Sequence, residues 1–151
     1  ATSCKHGVDS AVYSNKFMQL VAEELCEAEG GVGASDMLRA LQHAHAGVED
    51  LGSATVCLAA LTEARTLTVA NLGDSGAVVV RKGEVVFATA SRQHFFNCPY
   101  QFSWDGEEQV ADMDLYTFQV EPQDLVVVAS DGLFDNIFPS ELARMAAAAG
   151  A

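Results

Sequence analysis

Positive charge is scarce in this chain: 8 Lys and Arg stand against 21 Asp and Glu, a formal net charge of −13 over 151 residues. A surface of that sign repels a phosphate backbone, which argues against nucleic acid as a partner. Long apolar runs are missing too. The longest, Val56–Leu61 and Leu125–Ala129, are of strand length and far too short for a bilayer, so no membrane partner is expected. The beginning, Ala1-Thr2-Ser3-Cys4-Lys5-His6, lacks a secretory apolar segment. It reads either as a start that lost its methionine or as a cut inside a longer protein. No two of the cysteines Cys4, Cys26, Cys57 and Cys98 stand in C-x-x-C spacing. Buried free thiols in a reducing, intracellular compartment are the expectation. Neither an internal repeat nor a low-complexity linker divides the chain.

What is present is globular in kind. The chain is 50% hydrophobic and 19% charged, a composition that supports a packed core. Its length points to a single domain, and a monomer is expected. Phe17, Leu20, Val21, Leu25 and Ala28 recur at helical spacing, with Lys16, Glu23, Glu24 and Glu27 largely on the other side. Gly30-Gly31 should end this helix. Ser35 is the expected N-cap of a second helix, with Met37, Leu38, Leu41 and Ala44 as its apolar stripe. His43 and His45 lie two residues apart on it and point in different directions, so they read as solvated or half-buried rather than as metal ligands.

From Gly52 the period changes. Ala54–Leu61, Thr66–Asn71, Ala77–Val80 and Val85–Ala88 read as strands, with Arg81-Lys82-Gly83-Glu84 as a hairpin turn. Short strands joined by tight turns predict antiparallel pairing, since parallel strands need long crossovers. Residues 91–113 read as a long irregular stretch. Its His94, Phe95, Phe96, Tyr100 and Trp104 are expected to pack down on the sheet. Tyr116–Val120 and Leu125–Ala129 should form one more hairpin, and Ser140 should cap a last helix over Glu141–Ala148. Helices, strands and a helix in that order make an α+β fold.

Two carboxylates draw attention through their surroundings. Asp74 sits in Asn71-Leu72-Gly73-Asp74-Ser75-Gly76, between two nearly wholly apolar strands. Asp131 follows the apolar run Leu125–Ala129 in Ser130-Asp131-Gly132-Leu133-Phe134-Asp135-Asn136. An ionised carboxylate at the end of a buried strand needs a partner, and the nearest basic residues in sequence are Arg81 and Arg144. A bound divalent cation, which takes hard oxygen ligands, is one way to balance the pair. The other is local: an aspartate in an Asp-Gly turn bonds its own backbone. Composition and spacing leave both open.

The segments Gly52-Ser53-Ala54-Thr55, Ala70-Asn71-Leu72-Gly73-Asp74-Ser75-Gly76 and Ala129-Ser130-Asp131-Gly132-Leu133-Phe134-Asp135-Asn136 resemble three successive motifs of type 2C protein phosphatases, in order and spacing. Gln93-His94-Phe95-Phe96-Asn97 and Cys98-Pro99-Tyr100-Gln101-Phe102 are similar to the branch found in mitochondria and plastids. The resemblance implies a four-layer α-β-β-α sandwich of two antiparallel sheets flanked by helices. Residues 1–151 would form part of a catalytic domain, incomplete at both ends. It implies a Mn²⁺- or Mg²⁺-dependent Ser/Thr phosphatase acting on phosphoproteins through a metal-activated water. Carried over by motif, Asp131 would be the catalytic ligand of a core metal. Asp74 would share a weaker metal with Asp131, and Asp135 would orient metal-bound water.

The family also carries an early Asp-Gly-x-Gly-Gly motif, an acidic residue upstream of it and a late Asp-Asn pair, and none of these is in the chain. The expectation is therefore a fragment of a phosphatase that is inactive alone. An inactive pseudophosphatase serving as a binding module is the alternative, and a scaffold with structural aspartates the third reading.

Overall fold

A computed structural model describes residues 10–26, 28 and 31–149. Helix α1 spans Ser10–Cys26 and α2 spans Ala34–Gly47. Strands follow: β1 Ser53–Ala54, β2 Val56–Leu61, β3 Thr66–Leu72, β4 Gly76–Arg81 and β5 Glu84–Ala88. Then come β6 Gln93–Phe95, β7 Cys98–Pro99, β8 Phe102–Ser103, a 3₁₀ turn at Val110–Asp112, β9 Asp114–Gln119 and β10 Leu125–Ala129. The short helix α3, Asp131–Phe134, and α4, Pro139–Ala149, complete the order.

Two three-stranded sheets form the centre, β2-β3-β9 and β10-β4-β5, with every pairing antiparallel. The side-chain alternation of the two middle strands builds the layers. In β3, Ala70 and Leu72 face Phe17, Val21, Met37 and Leu41 of the helices, while Leu67 and Val69 face the opposite way. In β4, Ala77 and Val79 meet Leu67 and Val69 between the sheets, and Val78 and Val80 lie under Ala143 and Ala146 of α4. The result is helix, sheet, sheet, helix, the four layers that the motifs implied. Both middle strands are covered on two faces, which is why β4 reads as a continuous apolar run and β3 departs from one only at Thr66, Thr68 and Asn71.

The β4–β5 hairpin forms as expected, through Lys82 (φ 50°) and Gly83 (φ 79°), the paired positive φ values of a type I′ turn. The β9–β10 hairpin does not. β9 pairs with β3, Thr66 against Gln119 through Asn71 against Asp114, and β10 pairs with β4 in the other sheet. The tight Glu121–Asp124 turn is present, with Asp124 N–H on the Glu121 carbonyl at 3.1 Å, but it carries the chain across the sandwich. A turn's sequence looks the same whether it folds a hairpin or a corner between sheets. Likewise β3 and β4 do not pair; Gly73-Asp74-Ser75 is the corner between them.

Smaller expectations shift. Gly33, not Ser35, caps α2, and Asp36 Oδ2 accepts the Gly33 N–H at 3.1 Å. α1 stops at Cys26, so Ala28 lies beyond it, and Gly30 falls outside the described residues. Cys26 is exposed, contrary to the expected buried thiol; Cys57 is half-buried, and burial pushes its thiol up to about 11. Cys4 lies outside the described residues. His43 is exposed and pairs with Glu24, whereas half-buried His45 lies over Phe102. The 91–113 stretch contains β6, β7 and β8. Phe102 is fully buried against Phe17, but Phe95, Phe96 and Trp104 are 69%, 95% and 53% exposed. Packing down holds for only part of the aromatic set.

Candidate functional site

β4 and β10 end at the same edge of their sheet, with Ala129 opposite Gly76. Asp131 follows Ala129 by two residues and Asp74 precedes Gly76 by two. The register therefore brings two residues 57 positions apart in sequence to one corner. Asp131 opens α3, and its Oδ1 accepts the Gly132 N–H at 2.7 Å. Asp135 closes that helical turn, its N–H on the Asp131 carbonyl at 2.8 Å. Asn136 Nδ2 donates to the Gly132 carbonyl at 2.9 Å, which secures the turn.

Electrostatically the three carboxylates form one group. The Asp74 carboxyl is raised above its ordinary value, first by burial, then by Asp131, and also by Asp135; its own-turn backbone hydrogen bond works the other way. Asp74 is half-buried, while Asp131 and Asp135 are exposed. Asp74 and Asp131 each bond their own turn, as the local reading has it, and the Asp131 charge also acts on Asp74 across the corner. Asn71, fully buried three residues before Asp74, finds no hydrogen-bond partner for either amide atom among the described residues.

Gly73 positions Asp74. Its φ of 100° is a conformation open to glycine, and a Cβ there would collide with the Tyr100 carbonyl and with Thr55 Cγ2 at 2.6 Å. Below the corner, Thr55 Oγ1 and Ser75 Oγ share a hydrogen bond of 2.7 Å. Above it, Arg92 N–H donates to the Gly73 carbonyl at 2.8 Å. A cavity of about 130 Å³, bounded by Asp74, Ser75, Thr89, Ser91, Phe134 and Pro139, opens beside the carboxylate. Sequence reasoning missed the parts played by Thr55, Arg92 and Tyr100. The glycine just before Asp74 was the available signal, because a left-handed glycine marks a close backbone approach.

The family description Stage II sporulation protein E (SpoIIE) matches residues 4–149. The chain belongs to the SpoIIE/type 2C protein phosphatase family. It is 42% identical over 136 residues to Probable protein phosphatase 2C 26 of Arabidopsis thaliana, covering 89% of this chain and 45% of that protein. To the Homo sapiens Protein phosphatase PTC7 homolog it is 36% identical over 147 residues, covering 87% and 47%. Among solved structures, the photosystem II phosphatase PBCP superposes with a TM-score of 0.82 at 35% identity, covering 94% of this chain and 59% of that one. The Mycobacterium tuberculosis phosphatase PstP/Ppp shares the fold at a TM-score of 0.69 and 18% identity, covering 87% and 66%. The chain therefore spans about half the length of these curated relatives.

The donors here suit a hard divalent cation: carboxylate oxygens gathered at one corner, one of them raised by burial and then by its neighbours' charge. They suit it in kind and fall short in number. Among the described residues no three Asp, Glu, His or Cys side chains are grouped closely enough to hold a metal ion. No described helix is long and apolar enough to cross a membrane.

Proposed function

We propose that the full-length protein containing this domain is a Mn²⁺- or Mg²⁺-dependent phosphatase that removes phosphate from phosphoserine and phosphothreonine in proteins. Asp74 carries the reading: the β4–β10 register brings it to one corner with Asp131, where burial and then the like charge of Asp131 and Asp135 raise its carboxyl, a state that a cation would relieve. Asp131 would ligate a core metal, Asp74 would share a weaker one with it, and Asp135 would hold metal-bound water. Metal ions bound there would supply charge neutralisation and an activated water. The chain's own contribution is placement. The β4–β10 register sets Asp131 against Asp74, and the Asp131–Asn136 turn fixes the carboxylates of α3. A plastid or mitochondrial site of action is part of the proposal. It is supported by the 93–102 motif and by a structural relative described as a photosystem II phosphatase.

The shortfall in ligands favours a second reading, a phosphatase fold kept as a binding module. Phosphate release from a phosphothreonine peptide with Mn²⁺ separates the two, measured on the full-length protein and on these 151 residues alone. The expected result is turnover by the first and none by the second. A full-length protein inactive with both metals would establish the binding module.

A further inference from the structure

The 93–102 motif has no role in the reading above beyond marking a branch, yet its side chains form a connected column over the corner that holds Asp74. Arg92 donates its N–H to the Gly73 carbonyl at 2.8 Å, and its own carbonyl accepts the Tyr100 N–H at 3.1 Å. The Tyr100 carbonyl rests against Gly73 in the space a Cβ would need. The Arg92 guanidinium lies 4.7 Å from the Tyr100 ring centroid, and the His94 ring stacks on Tyr100 at 3.9 Å with 19° between planes. The far ends are tied as well: His94 Nε2 meets Glu108 Oε1 at 2.8 Å, and Arg92 Nη1 donates to the Asp112 carbonyl at 2.6 Å.

We infer that Tyr100, held by Arg92 and His94, is a positioning residue that fixes the Gly73–Asp74 corner and so sets the affinity of the cation site. The inference rests on the proposed metal-dependent function. Its physical basis is geometric: the Arg92 N–H and the Tyr100 carbonyl both meet Gly73, the residue that leads the chain into Asp74. Thr55 and the Tyr100 carbonyl both crowd Gly73, and no ion pair to Asp74 is present among the described residues. Outer-shell partners of this kind change metal affinity by about 10–100-fold when removed.

The test uses the full-length protein, with calorimetric Mn²⁺ titration as the binding readout and phosphopeptide turnover as the second. Tyr100→Ala should weaken Mn²⁺ binding about tenfold and raise the Mn²⁺ needed for half-maximal rate equally. The rate at saturating Mn²⁺ should stay within about threefold. Tyr100→Phe, which keeps the ring, should match wild type. Arg92 amide hydrogen exchange should quicken in the metal-free Ala variant. His94→Ala alters an exposed side chain, so it reports even if Tyr100→Ala fails to fold; a loss of about threefold is expected. Unchanged Mn²⁺ binding in the folded variants would overturn the inference, as would a Tyr100→Phe defect equal to that of Tyr100→Ala. A wild-type protein that binds Mn²⁺ but releases no phosphate would sink the hydrolase reading and leave this one standing. Wild type that binds no Mn²⁺ would remove both.

Discussion

Strand β4 has acidic residues at both ends, and the two ends treat them oppositely. At Arg81 two carboxylates, Asp124 and Glu121, are paired. The guanidinium donates to both oxygens of Asp124 at 2.8 Å each and meets Glu121 at 2.8 Å. The Asp124 side chain is 2% exposed, and the Arg81 hydrogen bonds hold its carboxyl below the ordinary carboxylate range. At the Gly76 end Asp74 is raised by burial and by the like charge of Asp131 and Asp135, with no ion pair to it among the described residues. One residue type in one sheet thus serves two ends. Where an arginine supplies the counter-charge, the acids staple the turn between sheets; at the other end no arginine among the described residues does so, and the like charges stand together.

Removing Asp131 should disturb the open end most. In the full-length protein, Asp131→Asn is expected to lower turnover by on the order of 10³-fold or more. Thermal stability should change little, because Asp131 is exposed and its Gly132 contact survives in an amide. Arg81→Met should do the reverse. It leaves the Asp124 carboxylate without its bidentate partner, so the melting temperature should fall by roughly 5–10 °C with Mn²⁺ binding unchanged.

The pH dependence of the closed end has a definite sign. Asp124 is lowered from 3.8 in the folded protein, so the folded state gives up that proton more readily than the unfolded chain. Its stabilising contribution is fully present above 3.8 and is lost as pH falls through the lowered value. Acid melts of wild type and Asp124→Asn should therefore converge below that window and diverge above it. Parallel curves across the whole range would show that the pair is not coupled to folding.

Much of this contrast was legible in the sequence, but unevenly. The apolar runs around Asp74 and before Asp131 located the strands: β4 because it is buried on two faces, and β10, an edge strand, because it is β-branched through Val126, Val127 and Val128. The Lys82-Gly83 turn was readable because its backbone demands particular residues. Pairing between β9 and β3 was not, nor the crossing of Glu121–Asp124 between sheets. Those depend on which distant strand offers a free edge, and nothing local encodes that. Asp74, Asp131 and Asp135 were legible through the motifs that contain them. Arg81 was named only as a nearby base, and its partner Asp124 was not found. Tyr100 stood in a motif without a role, since its carbonyl meets Gly73 and its ring meets Arg92 and His94 only in the folded chain.

The smallest expected effect is the most specific to the comparison. Asp74→Asn removes one of three mutually repelling charges yet keeps an acceptor for the turn's backbone hydrogen bond. With chelator present and no metal, the variant should melt slightly higher than wild type at neutral pH, by roughly 1–3 °C. The sign follows from linkage. Asp74 is raised from 3.8, so the folded protein holds that proton to higher pH than the unfolded chain does. Wild-type stability therefore carries no penalty from this group below 3.8 and loses ground as pH rises through the raised value, while the amide does not titrate. Adding Mn²⁺ should invert the order, since the cation stabilises the carboxylate form in proportion to its binding. If the variant melts below wild type in chelator as well, then Asp74 holds the corner by a contact its charge does not oppose. The open end of β4 would then be as much a structural joint as the closed one.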